Sequence, residues 1–371
     1  MKKRKRLILL GCLSILGILT LAFKDNCCNC PPNPKGPFMG YAYTIGMNHL
    51  DPDHYGIVDD LPGCEFDAND MAEIAKSQGM EVITNLSSQA TRGNVLANLA
   101  TLATKLKSGD FLLVSYSGHG GQIPDSIVGG DESDGLDETW LLYDGQLLDD
   151  EIHAAWSKFQ AGVRIFCISD SCHSGTVLKM INKDFEESPQ NSIQSFESMW
   201  KERTLLKIID RNAILSSLQN NIKIRGRVKP ITRDNPNEKI TAEDLTNKLV
   251  IRAISPKIMV STYRSNKEFY DNISESTPGE TQIPVKASFI LMSACMDNES
   301  AMDAGFNGLL TWKLKVIWSN GTFKGNYRDF YNKIKSEVTL VKPDQNPNFD
   351  DSMGGPNEEF SKQKPFSVNF N

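Results

Sequence analysis

Residues 111–121 read FLLVSYSGHGG, an apolar run that passes directly into a histidine flanked by glycines. Four consecutive apolar residues at 111–114 are typical of a strand that is buried on both faces of a parallel sheet. In open α/β sheets, ligands bind beyond the carboxyl ends of the strands. The run therefore predicts a buried strand that places His119 at a functional edge of the sheet.

Residues 163–175 repeat this design in the sequence VRIFCISDSCHSG, where an apolar run ends shortly before Cys172. A third run of this kind, ASFILM, occupies residues 287–292. Elsewhere, apolar residues recur at spacings of three and four, which is typical of helices. These predicted helices cover 66–78, a segment capped by Thr91, 308–318 and 327–338. Alternating strands and helices predict an α/β fold with a mostly parallel sheet.

The overall composition is that of an ordinary globular protein. Hydrophobic residues make up 40% of the 371 residues and charged residues 23%, so a sizeable core can form. The formal net charge is −6, and beyond the amino terminus no basic arm or stripe dominates the chain. This balance argues against general nucleic-acid binding.

The first 23 residues have the pattern of an export signal, with a basic run at 2–6 before an apolar stretch from Leu7 to Phe23. Three interpretations stay open: an uncleaved membrane anchor, a cleaved signal peptide, and a lipoprotein acylated on Cys12. Each predicts an exported chain, because the positive flank stays in the cytoplasm. The expected location is the extracytoplasmic face of the membrane, held by a single N-terminal anchor, or a secreted or periplasmic state.

His119 and Cys172 are the strongest candidates for catalysis. If their strands are neighbours, the two side chains meet at one edge of the sheet, where the imidazole can take the thiol proton and create a thiolate nucleophile. Gly120 lets a backbone N–H approach a carbonyl oxygen, as an oxyanion hole requires. Taken singly, such a cysteine is more often a small core residue and such a histidine a loop residue. Their joint placement favours catalysis, and His173 ranks lower as the base because adjacent side chains on a turn diverge.

Two motifs at these positions resemble those of the metacaspases, relatives of the caspases in the C14 peptidase group. They are SGHG at 117–120 and DSCHSG at 170–175, and the cysteine follows the histidine by 53 residues. A spacing of about 50 occurs in caspases, although the caspase pattern QAC is absent here. Further segments similar to metacaspase segments are LPGCEFDA at 61–68, GDESDGLDE at 130–138, SAC at 293–295 and GLLT at 308–311.

The resemblance implies a caspase-like three-layer sandwich, in which a mostly parallel sheet of about six strands is flanked by helices and interrupted by a long insertion. Together with the composition along the chain, it predicts five segments. Residues 1–23 are expected to form the signal or anchor, 24–37 a tether, 38–182 the large catalytic subdomain, 183–285 an insertion or linker, and 286–371 the small subdomain with the C-terminal tail.

Thiol-dependent cleavage after Arg or Lys is a second implication of the resemblance. Asp67 and Asp170 match metacaspase positions that line the pocket for the residue before the cut, with Cys64 and Ser117 beside them. Two buried carboxylates suit a cationic side chain and penalise an anionic one. The structural alternatives are a turn cap for Asp170 and an exposed first-turn helix acid for Asp67.

Calcium is a further implication, because Asp134, Asp149 and Asp150 match acidic ligand positions of that family. Carboxylate oxygens are the ligands that Ca²⁺ prefers. Lys179 stands where the family has another acid, and a cation at that place repels the ion. A solvated acidic loop is the alternative. A cysteine–histidine dyad requires no cofactor for its chemistry, so calcium enters only as a modulator.

The sequence therefore predicts a cysteine endopeptidase that cuts protein or peptide substrates after basic residues. Self-cleavage after a Lys or Arg between 180 and 285 is also predicted, with the basic stretch Lys223 to Lys229 as a suitable place. The rival class is a catalytically inactive caspase-like scaffold that binds a peptide or protein partner. A hydrolase of non-peptide esters or amides is disfavoured by the acidic pocket. No nucleic-acid partner is expected, and membrane contact is expected only through the N-terminal segment.

Overall fold

The computed structural model describes residues 38–124, 136–172, 250–279, 282–296 and 299–369. The predicted N-terminal signal or anchor and the tether lie outside these residues, as does the basic stretch 223–229. Across the described ranges, no helix combines the length and the apolar character needed to cross a bilayer.

The described part of the chain contains eleven strands and nine α-helices. In chain order the strands are β1 (Gly40–Gly46), β2 (Glu81–Leu86), β3 (Phe111–Ser117), β4 (Gly120–Pro124), β5 (Leu136–Leu142), β6 (Gly145–Leu148), β7 (Arg164–Asp170), β8 (Val250–Ile251), β9 (Ser288–Ser293), β10 (Met302–Asp303) and β11 (Asn348–Asp350). The helices are α1 (Pro52–Tyr55), α2 (Cys64–Ser77), α3 (Arg92–Lys105), α4 (Asp149–Trp156), α5 (Pro256–Ser265), α6 (Lys267–Ser276), α7 (Leu309–Trp318), α8 (Tyr327–Val341) and α9 (Glu358–Ser361).

A six-stranded sheet with the order β11-β9-β7-β3-β1-β2 forms the centre of the fold. Its strands pair in parallel except β11, which runs antiparallel to β9 at one edge. Every residue of β3 and β7 is buried, as continuous apolar runs predict. The predicted α/β fold with a mostly parallel sheet of about six strands is confirmed.

Helices cover both faces of this sheet. Alternate strand residues such as Leu113 and Phe166 share one apolar cluster with side chains of α2, α7 and α8. Their neighbours Leu112 and Ile165 share the other cluster with side chains of α3 and α4. This alternation follows from the two-residue period of a strand, and it produces the three predicted layers. The predicted cap of α3 is present, because Thr91 accepts a hydrogen bond from the Asn94 N–H.

Two smaller sheets lie beyond the carboxyl ends of the central strands. One has the antiparallel order β4-β5-β6, and the other pairs β8 with β10. The sequence predicted neither of them. Strand β8 and helices α5 and α6 fall within the predicted insertion 183–285. Met259 of α5, Tyr270 of α6 and Ile254, which lies between β8 and α5, share an apolar cluster with Ile123 and Leu141 of the three-stranded sheet. The end of this segment is therefore anchored on the folded core.

Candidate functional site

The register between β3 and β7 brings both candidate catalytic residues to one edge of the sheet. Ser117, the last residue of β3, pairs with Asp170, the last residue of β7. His119 and Cys172 each follow two residues later, so both leave the sheet at the same edge. Gly120 packs directly on the segment that carries Cys172, since a Cβ at this position would lie 1.8 Å from the carbonyl oxygen of Cys172.

The His119 imidazole is oriented by a main-chain oxygen. The side chain is 3% exposed, and Nε2 lies 3.2 Å from the carbonyl oxygen of Asp59. A ring nitrogen that faces a carbonyl must carry the hydrogen, which leaves Nδ1 as the proton acceptor. Among the described residues, Nδ1 has no hydrogen-bond partner. Burial lowers the pKa of His119 from its usual value, against the opposing effect of the Asp59 carbonyl. This arrangement favours the neutral base form.

Cys172 is fully buried, with 0% of the residue exposed. Its Sγ lies 2.6 Å from the backbone N–H of Ala301, which donates to the sulfur. A donor aimed at sulfur favours the thiolate over the thiol. The same Ala301 uses its carbonyl oxygen to accept the N–H of Arg252 at 3.1 Å.

The four predicted pocket residues lie together beside this edge. Asp67, in the first turn of α2, is buried, and its Oδ2 accepts the Ser117 hydroxyl at 2.7 Å. Asp170 is buried as well, while its Oδ2 accepts the Thr311 N–H at 2.9 Å. Cys64 is the first residue of α2, and burial raises its pKa well above the usual value. Because Asp67 is buried, the alternative of an exposed helix acid is wrong.

Asp303, which the sequence analysis missed, adds a third carboxylate to the pocket. It lies on β10 and is fully buried. Its Oδ2 accepts the Gly63 N–H at 3.1 Å, and its Oδ1 accepts the Gly305 N–H at 2.6 Å. A Cβ on residue 63 would lie 2.5 Å from Oδ1, so glycine permits this close approach. The pocket therefore concentrates negative charge away from water.

The guanidinium of Arg252 fills this pocket and is 0% exposed. Its Nη2 lies 2.6 Å from Asp67 Oδ2 and 3.0 Å from Asp303 Oδ2, and its Nη1 lies 3.0 Å from Asp170 Oδ1. Nη1 also donates to the Ser117 hydroxyl oxygen at 2.9 Å and to the Asp170 carbonyl at 2.8 Å. A planar fork of donors matches carboxylates in this way better than a lysine does. The three acids thus hold a basic side chain of the chain itself.

Neighbouring charges and burial have opposite effects on the pKa values of this cluster. Burial alone disfavours the charged guanidinium, but Asp170, with Asp67 and Asp303, raises the pKa of Arg252 well above its usual value. Burial raises the pKa of Asp67 to about 7, although Arg252 acts in the opposite direction. Three carboxylates around one cation leave an excess of negative charge, so a proton on Asp67 relieves their repulsion.

This raised pKa predicts a stability that depends on pH. The folded pKa of Asp67 is about 7 against an ordinary value of 3.8, so its stabilising contribution is complete below about pH 4 and is lost as the pH rises through about 7. We expect the melting temperature of Cys172→Ala, used to prevent self-cleavage, to fall over this range relative to Cys172→Ala/Asp67→Asn. Scanning fluorimetry at successive pH values measures the difference, and two parallel curves would contradict the assignment.

The predicted calcium ligands are only partly described. Asp149 and Asp150 begin α4, where Asp149 Oδ2 lies 3.2 Å from the Glu138 N–H and Asp149 Oδ1 lies 3.0 Å from the Asp150 N–H. Asp134 lies outside the described residues. Within the described ranges, no group of three or more His, Cys, Asp or Glu side chains is arranged to hold a metal ion. The two described carboxylates are of the type that Ca²⁺ binds, and calcium stays a prediction.

Four contributors to the site escaped the sequence analysis: Arg252, Asp303, the main-chain oxygen of Asp59 and the main-chain N–H of Ala301. Arg252 belongs to the sequence VIRA at 250–253, and a single basic residue among apolar ones is its only local signal. Asp303 follows no recognisable motif. A carbonyl oxygen is present in every residue, so the sequence carries no signal for the role of Asp59.

Comparison with known proteins gives consistent results. The caspase-domain model of the C14 peptidase family matches residues 39–357. Metacaspase-1 of Emericella nidulans is 36% identical over 154 residues, or 38% of this chain and 36% of that protein. Metacaspase-1 of Schizosaccharomyces pombe is also 36% identical over 154 residues, or 38% of this chain and 35% of that protein. The match therefore spans about a third of these curated relatives. A crystal structure from Geobacter sulfurreducens is 37% identical and has a TM-score of 0.65, covering 89% of this chain and 99% of that one.

Proposed function

The chain belongs to the caspase-domain family of C14 peptidases, and from that membership we propose that it is a cysteine endopeptidase that cleaves peptide bonds after Arg or Lys. The observation that carries the proposal is the buried guanidinium of Arg252 among three carboxylates. A pocket that already holds an arginine offers the charge and the acceptors that an incoming basic side chain needs. An aspartate side chain in the same place would add a further carboxylate to this buried group, which is unfavourable.

The geometry suits acyl transfer through a thioester. Asp59 holds the His119 ring so that Nδ1 accepts the Cys172 proton, and the thiolate attacks the carbonyl carbon of the basic residue. The N–H of Gly120 is our candidate for stabilising the negative oxygen that develops. His119 then gives its proton to the leaving amine, and water releases the acid product and restores the thiol.

A peptide series tests this specificity. The purified chain, in its wild-type and Arg252→Gln forms, is given fluorogenic peptides that differ only in ending with Arg, Lys, citrulline or Asp. Cleavage of the Arg and Lys peptides, lost in Cys172→Ala, is the expected result. The Arg252→Gln form matters because its pocket holds no internal cation. Cleavage after Asp, or no thiol-dependent cleavage by either folded form, contradicts the proposal.

A second candidate is an inactive scaffold, which the complete burial of Cys172 and Arg252 favours. In that case Arg252 is a permanent structural cation, and the pocket never receives another side chain. The peptide series separates the two functions, because a scaffold gives no hydrolysis in any of the variants.

We also propose that calcium modulates the peptidase through Asp134, Asp149 and Asp150. If it does, chelation with EGTA lowers kcat/KM on the Arg peptide, and added calcium restores it. Asp149→Asn shifts the calcium concentration that gives half of the maximal activity to higher values, because it removes a charged ligand. A rate that is the same in EGTA and in calcium contradicts this part of the proposal.

Export is the last component of the proposal, and it is supported by the basic run at 2–6 and the apolar stretch from Leu7 to Phe23. Cell fractionation, followed by protease treatment of intact cells or spheroplasts, tests it. An exported chain is digested from outside or found in the medium or periplasm, whereas a protected chain contradicts the prediction.

A further inference from the structure

Ala301, on the connection between β9 and β10, presents both a donor and an acceptor to the candidate nucleophile. Its N–H lies 2.6 Å from Cys172 Sγ, and its carbonyl oxygen lies 3.6 Å from the same sulfur. The N–H favours the thiolate, whereas the carbonyl can accept only from the thiol. The placement of Ala301 therefore affects how readily Cys172 loses its proton.

Gln345 bridges the two ends of this connection with its side-chain amide. It lies in the turn that follows α8 and is 0% exposed. Its Nε2 donates to the carbonyl oxygen of Ala294 at 3.2 Å, and its Oε1 accepts the N–H of Met302 at 3.1 Å. Ala294 directly follows β9 and Met302 directly follows Ala301, so one side chain fixes where the connection begins and where it ends.

The next residue, Asn346, holds the connection at a further point. It donates its backbone N–H at 2.6 Å and its side-chain Nδ2 at 2.5 Å to the two carboxylate oxygens of Glu299. Glu299 also accepts the Met296 N–H at 3.3 Å through Oε2. Since Glu299 lies two residues before Ala301, this contact supports the same placement.

The start of the connection is joined to the segment that carries Cys172. The Ala294 N–H donates to the carbonyl oxygen of Ser169 at 2.9 Å, and the Cys295 Sγ lies 3.6 Å from the carbonyl oxygen of Ser171. The connection therefore begins at a fixed position relative to Cys172. The amide of Gln345 carries this fixed position across to the residue that follows Ala301.

The burial of an amide at this place is informative. A buried amide costs free energy unless both of its ends are hydrogen-bonded, and an apolar side chain of similar length would fill the space without that cost. Both ends of the Gln345 amide bind the main chain, one as donor and one as acceptor. A buried polar group with these bonds specifies a single arrangement of the chain around it.

We propose, on the basis of the peptidase function above, that Gln345 is a positioning residue for the candidate nucleophile. Its amide holds Ala301 so that the N–H, and not the carbonyl, is the near neighbour of the Cys172 sulfur. Gln345 itself touches neither the sulfur nor the substrate and acts through the connection between β9 and β10.

Titration of the thiolate by its ultraviolet absorbance tests the proposal without any turnover. The signal of Cys172 is the difference between the full chain and its Cys172→Ala form, recorded over a range of pH. Gln345→Met keeps the length of the side chain and removes both hydrogen bonds. We expect its titration midpoint to rise by about one pH unit, because the thiolate loses part of a hydrogen bond to a charged group.

The same shift is expected in the kinetics. At a pH below the midpoint, Gln345→Met has about one tenth of the thiolate of the wild type, so kcat/KM on the Arg-ended peptide falls by about the same factor. Asp303 follows Met302 but keeps its contacts with the N–H groups of Gly63 and Gly305. The ratio of the rates on Arg- and citrulline-ended peptides is therefore expected to stay at its wild-type value.

Gln146→Met is the matched control. Gln146 lies on β6, is also 0% exposed, and accepts the Thr139 hydroxyl at 2.7 Å through Oε1. We expect this variant to lose stability and to keep the wild-type titration midpoint. A midpoint in folded Gln345→Met equal to that of the wild type overturns the proposal, as does an equal rise in both variants.

Asn346→Ala decides the matter if Gln345→Met does not fold. It removes the Nδ2 contact with Glu299 and leaves the backbone contact, so we expect a rise in the midpoint that is smaller than one pH unit. If Asn346→Ala is then the only folded variant and its midpoint is that of the wild type, the proposal is overturned.

The failure of this proposal is distinguishable from that of the peptidase function. An unchanged midpoint, together with thiol-dependent hydrolysis of the Arg-ended peptide by the wild type or by Arg252→Gln, overturns only the role of Gln345. A raised midpoint in a chain that hydrolyses no peptide in either form supports the placement of Ala301 by Gln345 and overturns the peptidase function.

Discussion

We expect Cys172→Ala to reduce kcat/KM on an Arg-ended peptide by about 10⁴-fold or more, on the scale seen when the nucleophile of a covalent peptidase is removed. The Sγ of Cys172 receives the N–H of Ala301. Alanine cannot form the thioester, and the imidazole of His119 then has no proton to accept. Steady-state kinetics on the purified variant measure the loss, and its melting curve shows whether the fold is retained.

Cys167→Ala is the matched control for this prediction. Cys167 lies on β7, the strand that precedes Cys172, five residues earlier in the chain, and it is also buried. Burial raises its pKa to about 12, so it stays a thiol at neutral pH and packs in the core. We expect Cys167→Ala to lose some stability and to keep its kcat/KM. Equal losses of activity in the two folded variants would contradict the assignment of Cys172 as the nucleophile.

The central strands could be predicted because the apolar residues of each local segment indicate that it is buried. A strand covered on both faces is apolar at every position, and the runs at 111–114 and 163–168 have this character. Since Ser117 and Asp170 end neighbouring parallel strands in register, the residues just beyond them had to meet. The prediction that His119 and Cys172 leave the same edge therefore needed only the assumption of adjacent strands.

The contents of the pocket depend on long-range contacts that no local pattern reports. Arg252 is far from Asp67 in the sequence, and the two join only because β8 pairs with β10 beyond the sheet edge. The stretch 223–229 stands out in the sequence for its density of basic residues, whereas the pocket holds a single arginine. Which side chain occupies the pocket depends on its position in the fold and on its hydrogen-bond geometry. The density of basic residues along the chain predicts neither of these.

The three carboxylates of the pocket have different supporting contacts. Asp303 is fixed by the N–H groups of Gly63 and Gly305, and Asp67 has a pKa of about 7 because of burial. Asp170 accepts from both the N–H and the hydroxyl of Thr311 through Oδ2, which leaves Oδ1 directed at Arg252. Asp170 is therefore the acid whose charge we expect to matter most for a bound basic side chain.

Asp170→Asn is expected to lower kcat/KM on an Arg-ended peptide by about 10²- to 10³-fold. Removing one partner of a buried, hydrogen-bonded charge pair costs about 2–5 kcal/mol, and about 1.4 kcal/mol corresponds to a factor of ten. The asparagine oxygen can still accept hydrogen bonds from Thr311, so the shape of the pocket is retained. The variant therefore loses only the negative charge of residue 170. Kinetics with matched Arg- and citrulline-ended peptides measure it, because citrulline has nearly the shape of arginine without its charge.

The ratio of the two rates distinguishes a specificity role from a structural one. If Asp170 recognises the cation, the variant loses activity on the Arg peptide far more than on the citrulline peptide. Asp110→Asn is the control. This buried aspartate directly precedes β3, at the end of the sheet away from Cys172, and accepts hydrogen bonds from the N–H groups of Met39 and Lys107. We expect Asp110→Asn to lower the melting temperature and to leave the ratio of the rates on the two peptides unchanged. An equal loss on both peptides in Asp170→Asn would mean that the carboxylate holds the fold of the pocket, and basic specificity would then have to come from Asp67 and Asp303.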